Sequence, residues 1–296
     1  MWLFLGLISA LLLGSYDICK KISLKNNAVI PVLWTSILIS SLILSSFLIV
    51  SRAAPDVLKD SLFFVPEIDL KAHLFIFIKS IIVLISWILA YFALKNLPLT
   101  VVTPIRSTQP IWTVVGGVLI FGEQLSALQI TGVSITLFSF MMFSLVGKKE
   151  GISFTRNKWI WFIILATFAG TASALYDKFL IQQYNYMAVL TYYTLYQSIV
   201  MGIVTLLLWY PNRAKTTPFR FKWSIALISV FLISADFIYF YALSLPGSLI
   251  SVLSPIRRSG VVLPFLYGAI VMRDKNIKQK AFCLAGILLG ILLLFL

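Results

Sequence analysis

Charge is scarce in this sequence. Lys, Arg, Asp and Glu together make up 11% of its 296 residues, against roughly 25% in soluble domains. Apolar residues make up 60%, and the mean hydropathy is +0.99. A composition this apolar excludes a soluble domain and predicts an integral membrane protein.

Histidine and cysteine are equally scarce. His73 is the only histidine, and the two cysteines, Cys19 and Cys283, lie within or at the edge of apolar segments. This set excludes a disulfide framework, a Cys/His metal site and a Ser/His/Asp triad. A P-loop is absent as well, which excludes ATP hydrolysis. We therefore expect no catalytic residue, no metal, no cofactor and no enzymatic activity.

The most prominent feature of the sequence is a series of long apolar runs. Each run is about 18 to 25 residues long, enough to cross roughly 30 Å of hydrocarbon as a helix, whereas the alternating segments of a β-barrel do not appear. We predict an all-α protein with ten membrane helices, at about 2–23, 28–50, 73–94, 99–121, 125–146, 158–181, 187–210, 222–243, 247–272 and 278–296. The longest connection, 51–73, is predicted to be an extramembrane loop with a short surface helix.

The net charge of +14 comes largely from short basic clusters between the apolar runs, which are typical of topology signals rather than of a nucleic-acid surface. Three of these residues lie on the side of the N-terminus: Arg52, Lys59 and Lys71. The other side carries the rest: Lys20, Lys21, Lys25, Lys95, Lys148, Lys149, Arg156, Lys158, Arg213, Lys215, Arg220, Lys222, Arg273, Lys275, Lys278 and Lys280. Since cytoplasmic loops carry the positive excess, both termini are predicted to lie outside.

The chain also repeats itself. "YDICKK" at Tyr16 recurs as "YDKF" at Tyr176, "YFALKNLP" as "FYALSLP", and "TPIRS" as "SPIRR". These echoes predict two repeats of five helices, residues 1–147 and 148–296. Because five is odd, the second repeat enters the membrane from the opposite side, an arrangement typical of secondary transporters.

Two further motifs carry a family resemblance. "FGEQL" places Glu123 just after the fourth helix, and "LQITGVSI" makes the fifth helix glycine-rich. With the two five-helix repeats, the chain resembles the EamA-type families of the drug/metabolite transporter superfamily. The resemblance implies a secondary transporter whose path is lined largely by helices 1, 3, 4, 6, 8 and 9, with both termini usually inside. The second repeat departs from the pattern with "VMRDKNI", so Glu123 and Asp274 are assigned no catalytic role.

The repeated Pro-Ile-Arg places two prolines inside apolar segments. Pro104 and Pro255 cannot donate a backbone hydrogen bond, so they free the carbonyls of Thr100 and Ser251, whose own hydroxyls help to satisfy the broken turn. We predict both prolines to be hinges. The alternative is that the paired kinks only shape the helix packing.

The arginines of this motif are costly, because a charge deep in hydrocarbon costs at least about 2.5 to 3.5 kcal/mol. We predict two gating or proton-coupling pairs: Arg106 with Asp17 and its neighbour Tyr16, and Arg257 with Asp177 and its neighbour Tyr176. Two alternatives stay open. Asp17 pairs with Lys20 on its own helix, or Asp177 and Lys178 are simply solvated near the outer edge.

Arg258 and Asp236 have no counterpart in the first repeat, so they either pair with each other or receive substrate. The predicted substrate-binding residues are Arg106, Gln109, Asp236, Arg257 and Arg258. Three of these residues are arginines and one is acidic. Because a guanidinium binds carboxylate or phosphate bidentately, an anionic or zwitterionic solute is favoured. The tyrosines of "LTYYTLYQ" either pack at the interface or line the path.

These patterns predict a secondary transporter that moves a small polar metabolite by alternating access. The alternative is a flippase for a lipid-linked anionic molecule. The expected partners are a small-molecule substrate, the lipid bilayer and a coupling proton carried by an aspartate, with no nucleic acid. The expected location is the cell (inner) membrane, as a monomer or homodimer.

Overall fold

The computed structural model describes residues 1–96, 105, 108–145, 157–263, 267 and 277–294. Across these ranges the chain is predominantly α-helical and forms no β-strand. The α-helices are α1 Trp2–Leu24, α2 Val29–Ala53, α3 Pro55–Leu58, α4 Leu70–Asn96, α5 Gln109–Phe121, α6 Ala127–Leu145, α7 Lys158–Gln183, α8 Tyr186–Val204, α9 Trp223–Ser244, α10 Ile250–Arg258 and α11 Ile277–Leu294. A described helix overlaps each of the ten predicted segments, and α3 lies in the predicted surface loop.

Six of these helical segments are long and apolar enough to cross a membrane. They are Trp2–Leu24, Val29–Ala53, Leu70–Ala90, Lys158–Gln183, Tyr186–Lys215 and Trp223–Ser244. Three more apolar helices are shorter: Gln109–Phe121, Ala127–Ser139 and Ala281–Leu294. The segment that begins at Tyr186 continues beyond α8 as a π-helix, Thr205–Trp209, and a 3-10 helix, Tyr210–Lys215.

The second Pro-Ile-Arg segment differs from the uninterrupted helix predicted over 247–272. Helix α10 ends at Arg258 and is followed by a 3-10 turn, Ser259–Val261. Helices often kink at adjacent serine and glycine residues, and Ser259 and Gly260 occupy this turn. The Ser259 hydroxyl donates to the carbonyl of Ile256 at 2.6 Å, which tightens it further.

Local sequence explains where three helices begin or end. Ser126 and Gln129 form a reciprocal capping box before α6, with hydrogen bonds of 3.1 and 3.2 Å. Asn185 caps α8 by accepting from the backbone of Met187 and Ala188. Gly122 ends α5 at a φ of 63°, a left-handed conformation that favours glycine.

The described chain forms two compact units, each of which takes residues from both predicted repeats. Unit 1 comprises Met1–Ile81 and Phe179–Pro246, and unit 2 comprises Ile82–Lys178 and Gly247–Leu296.

Hydroxyls that donate to carbonyls of neighbouring helices hold unit 1 together. Ser9 on α1 donates to the carbonyl of Ala235 on α9 at 2.8 Å. Ser229 on α9 donates to the carbonyl of Ser36 on α2 at 2.7 Å. In a membrane, where apolar burial gives little preference between helices, such bonds and close packing stabilise helix pairs.

The loop between α3 and α4 is folded against unit 1. Val65 is fully buried; its N–H donates to the Ser51 hydroxyl, and its carbonyl accepts from Arg52 at 2.9 Å. The Phe63 ring stacks between those of Phe47 and Phe237, at centroid distances of 5.2 and 5.1 Å. The predicted extramembrane loop is therefore an ordered part of this unit.

Small residues allow α6 and α11 to approach closely in unit 2. A Cβ atom at Gly290 would lie 2.7 Å from the carbonyl oxygen of Gly132, and one at Gly286 would collide with the Ser139 hydroxyl. Interfaces between membrane helices are enriched in such small residues because they let backbones meet.

Candidate functional site

Two of the predicted substrate-binding residues meet in unit 2. Gln109 begins α5 and is buried, and its side-chain oxygen accepts a hydrogen bond of 2.6 Å from the guanidinium of Arg258, whose side chain is exposed. Helix α7 packs closely against the Gln109 amide, as a Cβ atom built at Gly170 would lie 3.0 Å from the amide nitrogen. The amide thus orients a guanidinium, a planar group that suits carboxylate or phosphate.

The other residues of α10 lie within the same unit. Arg257 is half-buried, and Pro255 is inside the helix and buried. The Ser251 hydroxyl, expected to bond within its own turn, instead donates to the carbonyl of Val114 on α5 at 3.3 Å. The turn that Pro255 interrupts is therefore linked to α5 by a side-chain hydrogen bond.

Glu123 holds the beginning of α10. The left-handed turn at Gly122 is followed directly by Glu123, whose two carboxylate oxygens accept from the N–H groups of Ile250 at 2.7 Å and Ser251 at 2.9 Å. Leu249, the capping position of α10, offers no side-chain acceptor, so a distant carboxylate caps this helix. The sequence assigned Glu123 no catalytic role, and the capping role found here is structural; the missing side-chain cap at Leu249 was a signal for it.

Lys178 holds Ser248, which lies two residues before this helix. Its ammonium donates to the backbone carbonyl of Ser248 and, at 3.1 Å, to the Ser248 hydroxyl. Lys178 and Asp177 are both buried, so the alternative that they are solvated at the outer edge is wrong. The predicted pair of Asp177 with Arg257 stays a prediction.

A small cavity lies within unit 1, between α2, α8 and α9. Its enclosed volume is about 10 Å³, room for about one water molecule. Its lining residues are Ile37, Ser40, Leu190, Tyr193, Thr194, Gln197, Leu232, Ile233 and Asp236. The predicted substrate-binding residue Asp236 therefore borders a cavity rather than packed side chains alone.

Lys79, which the sequence reasoning missed, is buried beside this cavity. It is 2% exposed, and its ammonium lies 4.4 Å from the ring centroid of Tyr193 and 5.3 Å from that of Phe240. Such a desolvated cation over aromatic faces gains about 2 kcal/mol or more. A lone lysine in "FIFIKSIIVLISW" carries the same signal as the arginines, because it interrupts an apolar run.

The remaining predicted residues are spread over the helices. Tyr16 packs in the α1–α9 core, where the Lys20 ammonium lies 5.3 Å from its ring centroid, and Asp17 is exposed. Tyr176 is half-buried on α7. Arg106 and Pro104 lie outside the described residues, so their predicted roles stay predictions.

The tyrosines of "LTYYTLYQ" divide between the two expected roles. Tyr193 lines the cavity, whereas Tyr192 and Tyr196 pack around His73. The hydroxyl of Tyr196 and Nδ1 of His73 are hydrogen-bonded at 2.8 Å. The histidine is thus a packing residue among tyrosines.

Comparisons with known proteins add a family and a fold. Residues 1–145 match the sequence profile of the EamA-like transporter family, which belongs to the drug/metabolite transporter superfamily, so the predicted resemblance is confirmed. A solved crystal structure has a TM-score of 0.73 to this chain, covering 99% of it and 95% of that chain at 14% identity, which shows a shared fold. No curated protein matches. With six candidate spans in the part of the chain that the structure describes, this is a multi-pass membrane protein.

Proposed function

Because residues 1–145 carry the profile of the EamA-like transporter family, we propose that the protein is a secondary transporter of a small anionic or zwitterionic metabolite. It works by alternating access, without ATP hydrolysis. The family profile supports transport as the activity, and the charged groups inside apolar segments support a polar solute. Moving such a solute explains why the chain retains groups that are costly in hydrocarbon.

The observation that carries the choice of substrate is the contact between Gln109 and Arg258. A buried amide that accepts at 2.6 Å from an exposed guanidinium fixes the direction in which the planar group presents its other donors. A carboxylate or phosphate matches this geometry with two parallel hydrogen bonds. The contact thus supports an anionic group on the transported solute.

The transport cycle that we propose uses ten helices in two inverted repeats, 1–147 and 148–296. One gate pairs Arg106 with Asp17, and the other pairs Arg257 with Asp177. The repeats exchange conformations, so that one gate closes as the other opens. Competition between the substrate anion and the aspartate for each arginine supplies the differential affinity that such a shift requires.

The proposed location is the cell membrane, with both termini outside. Asp17, Asp177 or Asp236 carries a coupling proton in this scheme, and the protein acts as a monomer or homodimer. The charge asymmetry of the loops supports this orientation, since positive residues accumulate on cytoplasmic sides.

Exchange in proteoliposomes tests the proposal. Purified protein should exchange a labelled carboxylate or zwitterionic solute from a metabolite panel, and Arg258→Gln should raise the KM. Losing a hydrogen bond to a charged group costs about 1.5 to 3 kcal/mol, so the increase should be about 10- to 150-fold. Arg213→Gln is the matched control, because Arg213 is exposed in the 3-10 helix Tyr210–Lys215.

Three outcomes contradict the proposal. Equal effects of Arg258→Gln and Arg213→Gln would remove Arg258 from the substrate site. Selective exchange of organic cations would contradict the proposed substrate class. Movement of a lipid-linked anion without exchange of any soluble solute would replace the transporter with a flippase.

A further inference from the structure

Two polar groups at the unit 1 cavity are buried without a partner among the described residues. They are the hydroxyl of Ser40 on α2 and the amide nitrogen of Gln197 on α8. Each residue is 2% exposed, and both line the cavity. Buried polar groups in proteins are nearly always hydrogen-bonded, because an unpaired one costs the full free energy of its desolvation. The two groups therefore indicate a partner inside the cavity.

The cavity has the size of one water molecule. Its enclosed volume is about 10 Å³, and a buried water needs roughly 10 to 15 Å³. A solute of several heavy atoms does not fit in this volume. Apolar cavities stay empty, so a water molecule is held only where the walls offer it hydrogen bonds.

Three side chains in the walls offer these bonds. The amide nitrogen of Gln197 donates to the water. The Thr194 hydroxyl already donates to the carbonyl of Leu190 at 2.8 Å, so its oxygen accepts from the water. The Ser40 hydroxyl both donates and accepts, and it completes the set in either role. A buried water typically makes about three hydrogen bonds, which is the number that these side chains supply.

Helices α2 and α8 are in direct contact beside this site. The indole nitrogen of Trp34 on α2 donates to the carbonyl of Ser198 on α8 at 3.2 Å. A Cβ atom at Gly202 on α8 would lie 3.1 Å from the same indole nitrogen. A water molecule that bonds to Ser40 and Gln197 therefore continues an existing contact between the two helices.

We propose that this cavity is a binding site for a single internal water molecule, which links α2 to α8. Helix α2 belongs to the first predicted repeat and α8 to the second, so the water joins the two repeats within unit 1. Hydrogen bonds stabilise pairs of membrane helices, for which apolar burial gives little preference. The site goes beyond the proposed function, because binding water requires neither transport nor the arginines of α10.

The water also lies beside Asp236 on α9, which borders the same cavity. A carboxylate has about four acceptor positions, so it accepts from the water in addition to its other interactions. The water thus gives this acidic group a polar neighbour within an apolar segment, where an unsolvated charge is costly.

X-ray radiolytic footprinting of the full-length protein in nanodiscs detects the water directly. Hydroxyl radicals that form from a bound water modify the side chains around it, and mass spectrometry measures the rate at each residue. Tyr193 and Tyr239 are both buried, but only Tyr193 lines the cavity. Tyr193 should be modified at a dose that leaves Tyr239 unmodified. This modification should be lost in the double variant Ser40→Ala/Gln197→Met.

A double-mutant cycle tests whether Ser40 and Gln197 share the water. Each of Ser40→Ala and Gln197→Met removes a bond to it, so each should raise the equilibrium constant for unfolding in detergent. Once the water is lost, the second substitution removes a group that has already lost its partner. The combined effect should therefore be smaller than the product of the single effects, by about 3-fold or more.

Thr191→Val is the matched control. The Thr191 hydroxyl is also buried on α8 without a partner among the described residues, but it does not line the cavity. Its removal should lower the equilibrium constant for unfolding, because an unpaired buried hydroxyl is lost. The effects of Thr191→Val and Ser40→Ala should multiply to within about 2-fold.

The proposal is overturned if Ser40→Ala and Gln197→Met each stabilise the protein as Thr191→Val does, because the groups that they remove would then have no partner. It is also overturned if Tyr193 is no more reactive than Tyr239 in the wild type. The comparison of these tyrosines decides even where a variant does not fold. Solute exchange without modification of Tyr193 contradicts the water site and leaves the proposed transport intact, whereas modification without exchange does the reverse.

Discussion

Replacing Glu123 with glutamine should loosen the first turn of α10. The carboxylate accepts from two backbone N–H groups, of Ile250 at 2.7 Å and of Ser251 at 2.9 Å. Glu123 is 8% exposed, and neither backbone residue is accessible to solvent. Glutamine has the same shape but only one oxygen, so its NH₂ group faces an N–H donor and leaves it unpaired.

The size of the effect follows from the lost bond. A hydrogen bond to a charged group contributes about 1.5 to 3 kcal/mol, so the equilibrium for opening this turn should rise about 10- to 150-fold. The lost negative charge at a helix N-terminus acts in the same direction. Leu249 has no side-chain acceptor that replaces the carboxylate.

Hydrogen exchange measured by mass spectrometry on peptides covering 247–258 detects this opening directly. Faster exchange should be confined to these peptides. Glu67→Gln is the control, because Glu67 is 86% exposed and 3.7 Å from Arg52, an arrangement that contributes little to stability. Unchanged exchange in 247–258 would refute the capping role, and uniformly faster exchange would show global rather than local destabilisation.

Two further predictions concern topology and helix packing. In intact cells, an impermeant maleimide should label Lys59→Cys but not Ala214→Cys, both of which replace exposed residues; the opposite pattern would place the termini inside. Gly290→Ala should destabilise the folded protein by about 1 to 3 kcal/mol in detergent unfolding, because its Cβ atom would lie 2.7 Å from the carbonyl oxygen of Gly132. Leu289→Ala, at an exposed neighbour, should have a smaller effect, and equal effects would contradict close packing at this glycine.

The helices were predictable because each membrane span requires a long run of apolar residues, which is visible in the sequence. A run of apolar residues long enough to cross hydrocarbon has to satisfy its backbone internally, and a helix does so within one segment. Helix ends and interruptions depend on finer features. Thr205–Trp209 is a π-helix and Ser259–Val261 is a 3-10 turn. Both depart from regular α-helix without changing the apolar pattern from which the helices are predicted.

The site was predictable only in part, because side-chain partners come from distant positions. The contact between Gln109 and Arg258 joins residues 149 positions apart, and each was chosen for its chemistry alone. Ser40 and Gln197 gave no signal, since a serine and a glutamine in membrane helices are common. Only the structure shows that the Ser40 hydroxyl and the Gln197 amide nitrogen are buried at one cavity without a partner among the described residues. Lys79 did give a signal, but it was overlooked beside the repeated arginines.

Charge inside an apolar segment does not by itself identify a binding group. Glu123, Lys178, Arg258 and Asp236 all lie within or at the end of apolar segments, so the cost of placing a charge in hydrocarbon does not by itself distinguish their roles. Their partners separate them. Glu123 and Lys178 bond to backbone groups at the start of α10, and a ligand could take their place only by opening that helix. Arg258 is exposed and bonded to a side-chain amide, and Asp236 borders a small cavity, so neither is known to hold a helix end, and both stay predicted substrate-binding residues. Substitutions at the first pair should therefore act through folding, and those at the second through binding.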